Sequence, residues 1–170
     1  MTDSIVRDAF EHHIWANEKV LDACAGLSAA QLMEPVPGTY GPIIATLRHL
    51  IQADSFYLWV QRGSTGEMMN ASKSLGIDEL RAANEGHAAQ YRELLAGPLD
   101  PDAEVAEHGE GWDFVATLGI RVAQIVHHGS DHRSQVCTGL TALGIEPPEV
   151  DLWAYGRAMG MTREVELAKG

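Results

Sequence analysis

The sequence predicts an all-α fold: a four-helix bundle followed by a short C-terminal helical segment. Three observations carry that expectation. Four long stretches keep apolar residues at helical spacing, glycine and proline punctuate the intervals between them, and no run alternates strongly enough to build a sheet. A length of 170 residues suits one domain spanning residues 1–170, able to bury a core without staples. Hydrophobic residues at 45% and charged residues at 21% exclude a disordered chain.

The elements follow in order. Val6, Phe10, Ile14, Leu21 and Cys24 form the stripe of a first helix, interrupted on the same face by His13 and Asn17 and ended at Gly26. Ser28 can cap a short turn through Leu32. Pro35, Pro37 and Gly38 mark a loop. A second helix is expected from about Pro42 to Gln61, because proline is tolerated in a first turn whose N–H groups lack partners anyway. Its stripe leaves His49 beside the inner face. Residues 62–76 are polar and glycine-punctuated, hence a loop. The third helix starts near Asp78, carries Leu80, Asn84, His87, Tyr91 and Leu94 inward, and ends at Gly97 and Pro98. The acidic stretch from Gly97 to Trp112 is expected to cross the molecule as an extended connection. A fourth helix should run from Phe114 to Leu143, stopped by Gly144, with Pro147 and Pro148 forbidding continuation. Asp151 to Met159 forms the terminal helical segment. The four tryptophans, Trp15, Trp59, Trp112 and Trp153, are expected as filler between helices.

Charge narrows the function. Twelve Lys and Arg face 24 Asp and Glu, a net charge of −12, which offers no positive field for phosphates or an anionic bilayer. No nucleic-acid or membrane partner is expected. No apolar run approaches the ~18 residues of a membrane span, and the first residues lack the features of a signal peptide. A soluble, cytoplasmic protein is therefore expected. Cys24 and Cys137 read as reduced, buried thiols.

Eight histidines are the unusual feature of the composition. His128 and His132 are four residues apart, so on a helix they stack one turn apart and can share a metal ion. Chance gives roughly 0.4 such pairs in this chain, so the spacing alone is a weak signal. The pair gains weight from its place beside the apolar stripe, where unpartnered imidazoles would cost several kcal/mol. His49 adds a third inward imidazole on another helix. Asp131 and Gln135 are close enough in sequence to hold the outer nitrogens of these rings. His13, beside Asn17 on the inner face of the first helix, reads first as a hydrogen-bonded core histidine, with His13 and Asn17 lining a cavity over the metal as the alternative. His87 is a weaker cavity candidate. His127, His12 and His108 are expected at the surface.

Four segments together resemble the DinB/YfiT-like superfamily. They are His13-Ile14-Trp15-Ala16-Asn17, Thr46-Leu47-Arg48-His49-Leu50, the H-x-x-x-H-R-x-Q pattern from His128 to Gln135, and Gly144-Ile145-Glu146-Pro147-Pro148 followed by Asp151. They span nearly the whole chain, and the pattern on the last helix is the most specific. The resemblance implies a metal-binding four-helix bundle, with His49, His128 and His132 as the three ligands, and a homodimer. Many members carry histidine directly before the last ligand, where this chain has Asp131.

A tri-histidine site holding a divalent metal, zinc first and nickel or iron as alternatives, leaves coordination positions open. The resemblance implies that such a metal activates a low-molecular-weight thiol toward an electrophilic small molecule, as in thiol S-transferases and mycothiol-dependent isomerases. A metal-hydroxide hydrolase using Asp131, Asp54 or Glu18 as base, and a non-enzymatic metal or small-molecule binding protein, are the alternatives. No G-x-S-x-G, P-loop or Rossmann pattern offers another chemistry.

Overall fold

In the computed structural model, residues 2–69 and 74–165 are described. The helices are α1 (Thr2–Cys24), α2 (Ala29–Met33), α3 (Ile43–Gln61), α4 (Ile77–Leu94), α5 (Leu118–Ala142) and α6 (Leu152–Ala158); β1 (Glu104–Gly109) and β2 (Trp112–Thr117) lie between α4 and α5. The all-helical bundle is therefore present, with one small sheet added. No helix of the described residues is long and apolar enough to cross a membrane.

Local chemistry fixes the ends of these elements. Ser28 and Gln31 form a reciprocal capping box at α2. Pro42 is extended just ahead of α3, and its carbonyl accepts the Thr46 N–H at 3.0 Å. The Asp151 carboxylate accepts the Ala154 N–H at 2.7 Å and starts α6. Gly144, at φ +73°, closes α5. The Ile145 N–H returns to the Leu140 carbonyl at 3.0 Å and the Gly144 N–H to Thr141 at 2.9 Å, the paired bonds that glycine's left-handed conformation permits.

The connection after α4 differs from expectation. It does not cross the molecule, and α5 starts at Leu118, leaving Phe114 in β2. Glu104–Gly109 pairs antiparallel with Trp112–Thr117, and Gly111 takes φ +79° in the turn between them. The reason lies in the helix directions. One apolar cluster joins Leu21, Leu47, Leu80 and Leu140. The other joins Phe10, Leu58, Tyr91 and Ile125. Those memberships place the end of α4 and the start of α5 at the same end of the bundle, so a local hairpin spans the gap. Two tryptophans also depart from their expected role: Trp112 and Trp153 are exposed, on the hairpin and on α6.

Between the two clusters runs a buried polar layer of His13, Asn17, Asp54, Asn84, His87 and Arg133. Gly129 on α5 lets the layer close, since a Cβ there would overlap the His13 ring and crowd the Arg133 guanidinium. Gly129→Ala is expected to destabilise the protein by about 1–3 kcal/mol through overpacking. Thermal unfolding checks this as a fall of roughly 2–4 °C in Tm for each kcal/mol lost.

Candidate metal centre

α3 contributes His49, and α5 contributes His128 and His132 from successive turns. Donor atoms of these three rings lie within 4.8 Å of one another. Ring centroids are 4.4 Å apart for His128 and His132, 4.6 Å for His49 and His132, and 5.0 Å for His49 and His128. The Nε2 atoms of His49 and His128 approach to 3.1 Å. Two nitrogens bound tetrahedrally at ~2.0–2.1 Å from one ion would sit about 3.3 Å apart, so this pair fits a shared metal closely. Among the described residues no carboxylate or thiol joins the cluster.

The fold and this cluster coincide with a match along the sequence: the model of the DinB family covers residues 1–164. The chain belongs to the DinB family. No curated protein matches it.

In this DinB chain the outer nitrogen of His132 has a defined partner, whereas Nδ1 of His128 is buried without one. His132 Nδ1 meets Gln135 Oε1 at 3.1 Å, which places the proton on Nδ1 and leaves Nε2 free as an electron-pair donor. Gln135 Oε1 also accepts the Tyr40 N–H at 3.0 Å. Tyr40 in turn stacks on His49, with centroids 4.2 Å apart and planes 11° from parallel, and meets His132 edge-on at 5.4 Å. Tyr40 escaped the sequence reading because it lies in the Pro35–Gly38 loop region, outside any periodic stripe. Its nearness to His49 in the chain was the available signal. Asp131 is exposed and Gln135 half-buried.

The other histidines are distributed as follows. His13 is fully buried. Its Nε2 donates to Asp54 at 3.0 Å and its Nδ1 accepts from Arg133 at 3.1 Å, so both ring nitrogens are engaged in the core. Asn17 bonds Asp54, Asn84 and Arg133 at 2.8–3.2 Å. The structure thus places His13 and Asn17 in the buried polar layer, in keeping with the hydrogen-bonded core reading of His13. His87 is buried in the same layer. His12 overturns its surface assignment: it is 5% exposed, because its Nε2 reaches the Val150 carbonyl at 2.8 Å and its ring packs edge-on against Tyr155 of α6. His127 and His108 are exposed as expected. Cys24 is buried, while Cys137 is only partly so.

Electrostatics suit metal binding. Burial, then neighbouring His132 and His49, push the His128 pKa down to about 4. His49 is lowered by burial and by His132. These rings are neutral at pH 7, the form that donates to a metal. An unfolded imidazole protonates near pH ~6.5. Below that pH the unfolded chain binds protons that His128 of the folded, metal-free chain refuses until about pH 4, so stability present above the window is lost as pH falls through it. Circular-dichroism melts of metal-free protein should show Tm declining across this range, with a shallower slope in His128→Gln; equal slopes would contradict a ring held neutral. Gln135→Ala should weaken zinc binding roughly 10- to 100-fold in a chelator competition by releasing the His132 tautomer.

Proposed function

We propose that this DinB-family chain binds a divalent transition metal at His49, His128 and His132, zinc first with nickel or iron as alternatives. The bound metal would activate a low-molecular-weight thiol for transfer to an electrophilic small molecule. The observation that carries the reading is the donor count: three clustered imidazoles and no fourth protein ligand among the described residues. Structural zinc sites close with four protein donors, whereas three leave a position for an outside molecule. When bound, the metal supplies a Lewis acid that lowers the pKa of a thiol or a water.

The chain's own residues favour an external thiol. Burial pushes the Cys24 thiol up to about 12 and also raises Cys137, so neither offers a thiolate at neutral pH. Hydrolysis would call for a base beside the ligands, and the three carboxylates considered for it are elsewhere. Asp54 is buried and bonded to His13, Asn17 and Tyr91. Glu18 lines a groove between α1 and α4, and Asp131 is exposed on α5. In the transfer, sulfur forms a bond to carbon as the leaving group departs, or the thiol proton ends on carbon when the electrophile is an activated double bond. Gln135 orients His132 and Tyr40 covers one face of His49 while this occurs.

The test combines metal analysis with a thiol-by-electrophile screen on the zinc-loaded protein, using cysteine, glutathione and mycothiol against 1-chloro-2,4-dinitrobenzene and maleate esters. One metal per chain, lost in His49→Ala, His128→Ala and His132→Ala, together with metal-dependent thiol consumption, is the expected result. Metal-dependent ester cleavage without thiol consumption would replace this reading with a hydrolase. Stoichiometric metal with neither activity would leave a binding protein.

A further inference from the structure

We propose that the recess between α3, α5 and the β-hairpin holds an uncharged aromatic or alkyl group of the electrophile, beside the three-histidine centre. This rests on the reading above for the word electrophile, but the recess and its preference for a neutral apolar group stand on their own observations.

The recess has a volume of about 300 Å³ and is lined by Phe56, Tyr57, Phe114, Ile120, Arg121 and Gln124 among others. A cavity of about 150 Å³ takes a benzene ring, so this one has room for a group of one to two rings. It abuts the centre. Tyr57, in its wall, stands edge-on to His128 with centroids 5.6 Å apart. Gln124, one turn before His128 on α5, donates to the Tyr57 hydroxyl at 3.4 Å. One side chain, Tyr57, thus belongs to the wall of the recess and also packs on a histidine of the centre.

Charge defines what the recess accepts. Its two ionic groups are committed to each other, Arg121 lying 3.6 Å from Glu107. The guanidinium also donates to the Val105 and Phe114 carbonyls at 3.1–3.3 Å and sits over the Phe114 ring. Arg121 thereby fixes the hairpin wall and has little left for a ligand's anion. Beside the uncharged Tyr57, Gln61 and Gln124, what remains is apolar surface: Phe114 is 55% and Ile120 65% exposed. Two large apolar side chains left in water at the mouth of one recess are a standing cost that a neutral ligand group relieves. Tyr57 and Gln124 supply polar atoms in its wall for a carbonyl or nitro oxygen. A larger recess of about 490 Å³, between α1 and α4, does not compete: it is bordered by Glu18, Arg81, Glu85 and Arg92 and includes no residue of α3 or α5.

The probe is N-phenyl-1-naphthylamine, an uncharged two-ring fluorophore, titrated into zinc-loaded protein. Saturable binding is expected, weakened roughly tenfold or more in Ile120→Lys and in Phe114→Ser, while zinc stoichiometry and chelator-competition midpoints stay at wild-type values. His128→Ala, which removes a proposed ligand, should still bind the fluorophore, so a failure of the metal reading leaves this arm intact. In the thiol assay, kcat/KM should rise as the electrophile's apolar group grows to two rings and should flatten in Ile120→Lys. Unchanged fluorophore binding in both recess variants would overturn the proposal, as would loss of binding in Ala82→Trp, placed in the α1–α4 groove.

Discussion

Three helices meet at the Asp54 carboxylate and a fourth joins through its partners, and the geometry of the three-histidine cluster depends on that meeting. Asp54 on α3 accepts His13 and Asn17 from α1 at 3.0 and 3.2 Å and the Tyr91 hydroxyl from α4 at 3.0 Å. Arg133 on α5 completes the layer through the Asn17 carbonyl at 2.8 Å and His13 Nδ1 at 3.1 Å. Burial raises the Asp54 pKa, but the adjacent His13 and the bonds Asp54 accepts outweigh it and bring the carboxyl below its usual range. Arg133 is lowered by burial to about 10 and remains charged at neutral pH. A negative and a positive group thus balance across one layer. Removing either would leave a buried charge uncompensated, at a cost of about 3–5 kcal/mol.

That layer sets helix rotation as well as stability. An apolar contact tolerates a small slide or turn of one helix on another, whereas directional hydrogen bonds to buried atoms do not. Asp54 lies five residues beyond His49, and Arg133 directly follows His132. Fixing Asp54 and Arg133 against the same α1 side chains therefore fixes the faces of α3 and α5 that carry the three imidazoles. Gly129 belongs to the same device, because it lets the His13 ring approach α5 closely.

The sequence made the three clustered histidines visible and hid much of what positions them, for a physical reason. His128 and His132 are read from helical geometry within a single element, and Pro42, Ser28, Gly144 and Asp151 announce their boundaries through chemistry confined to a few residues. Asp54 bonds to residues 37 and 41 positions away, and no local pattern reveals that, so it appeared only as one of three carboxylates considered as a base. His12 was misjudged because α6, far along the chain, covers what α1 alone would expose. The hairpin was missed because its strands are short and set in an acidic stretch between Pro101 and α5. In retrospect the Gly109-Glu110-Gly111 turn between Val105 and Val115 was its signal. Tyr40 falls in the same class as Asp54: its role comes from stacking on His49, which only the packed α3–α5 pair creates.

Burial first, and then the neighbouring imidazoles, oppose protonation of His49 and His128 and lower their pKa values. The rings are held there by Gln135, by Tyr40 and by the buried layer beneath them, not by attraction for one another. A bound metal would reverse the balance, because donors already in place need no reorganisation before binding. Metal binding and folding are then coupled in both directions: a cation that binds only the folded chain stabilises it in proportion to the logarithm of its concentration over Kd. A substitution in the polar layer that loosens α3 against α5 should by the same linkage weaken metal binding without touching a ligand. The polar layer and the three-histidine cluster are in this sense one structure, with Asp54 and Arg133 setting the distance across which His49 faces His128 and His132.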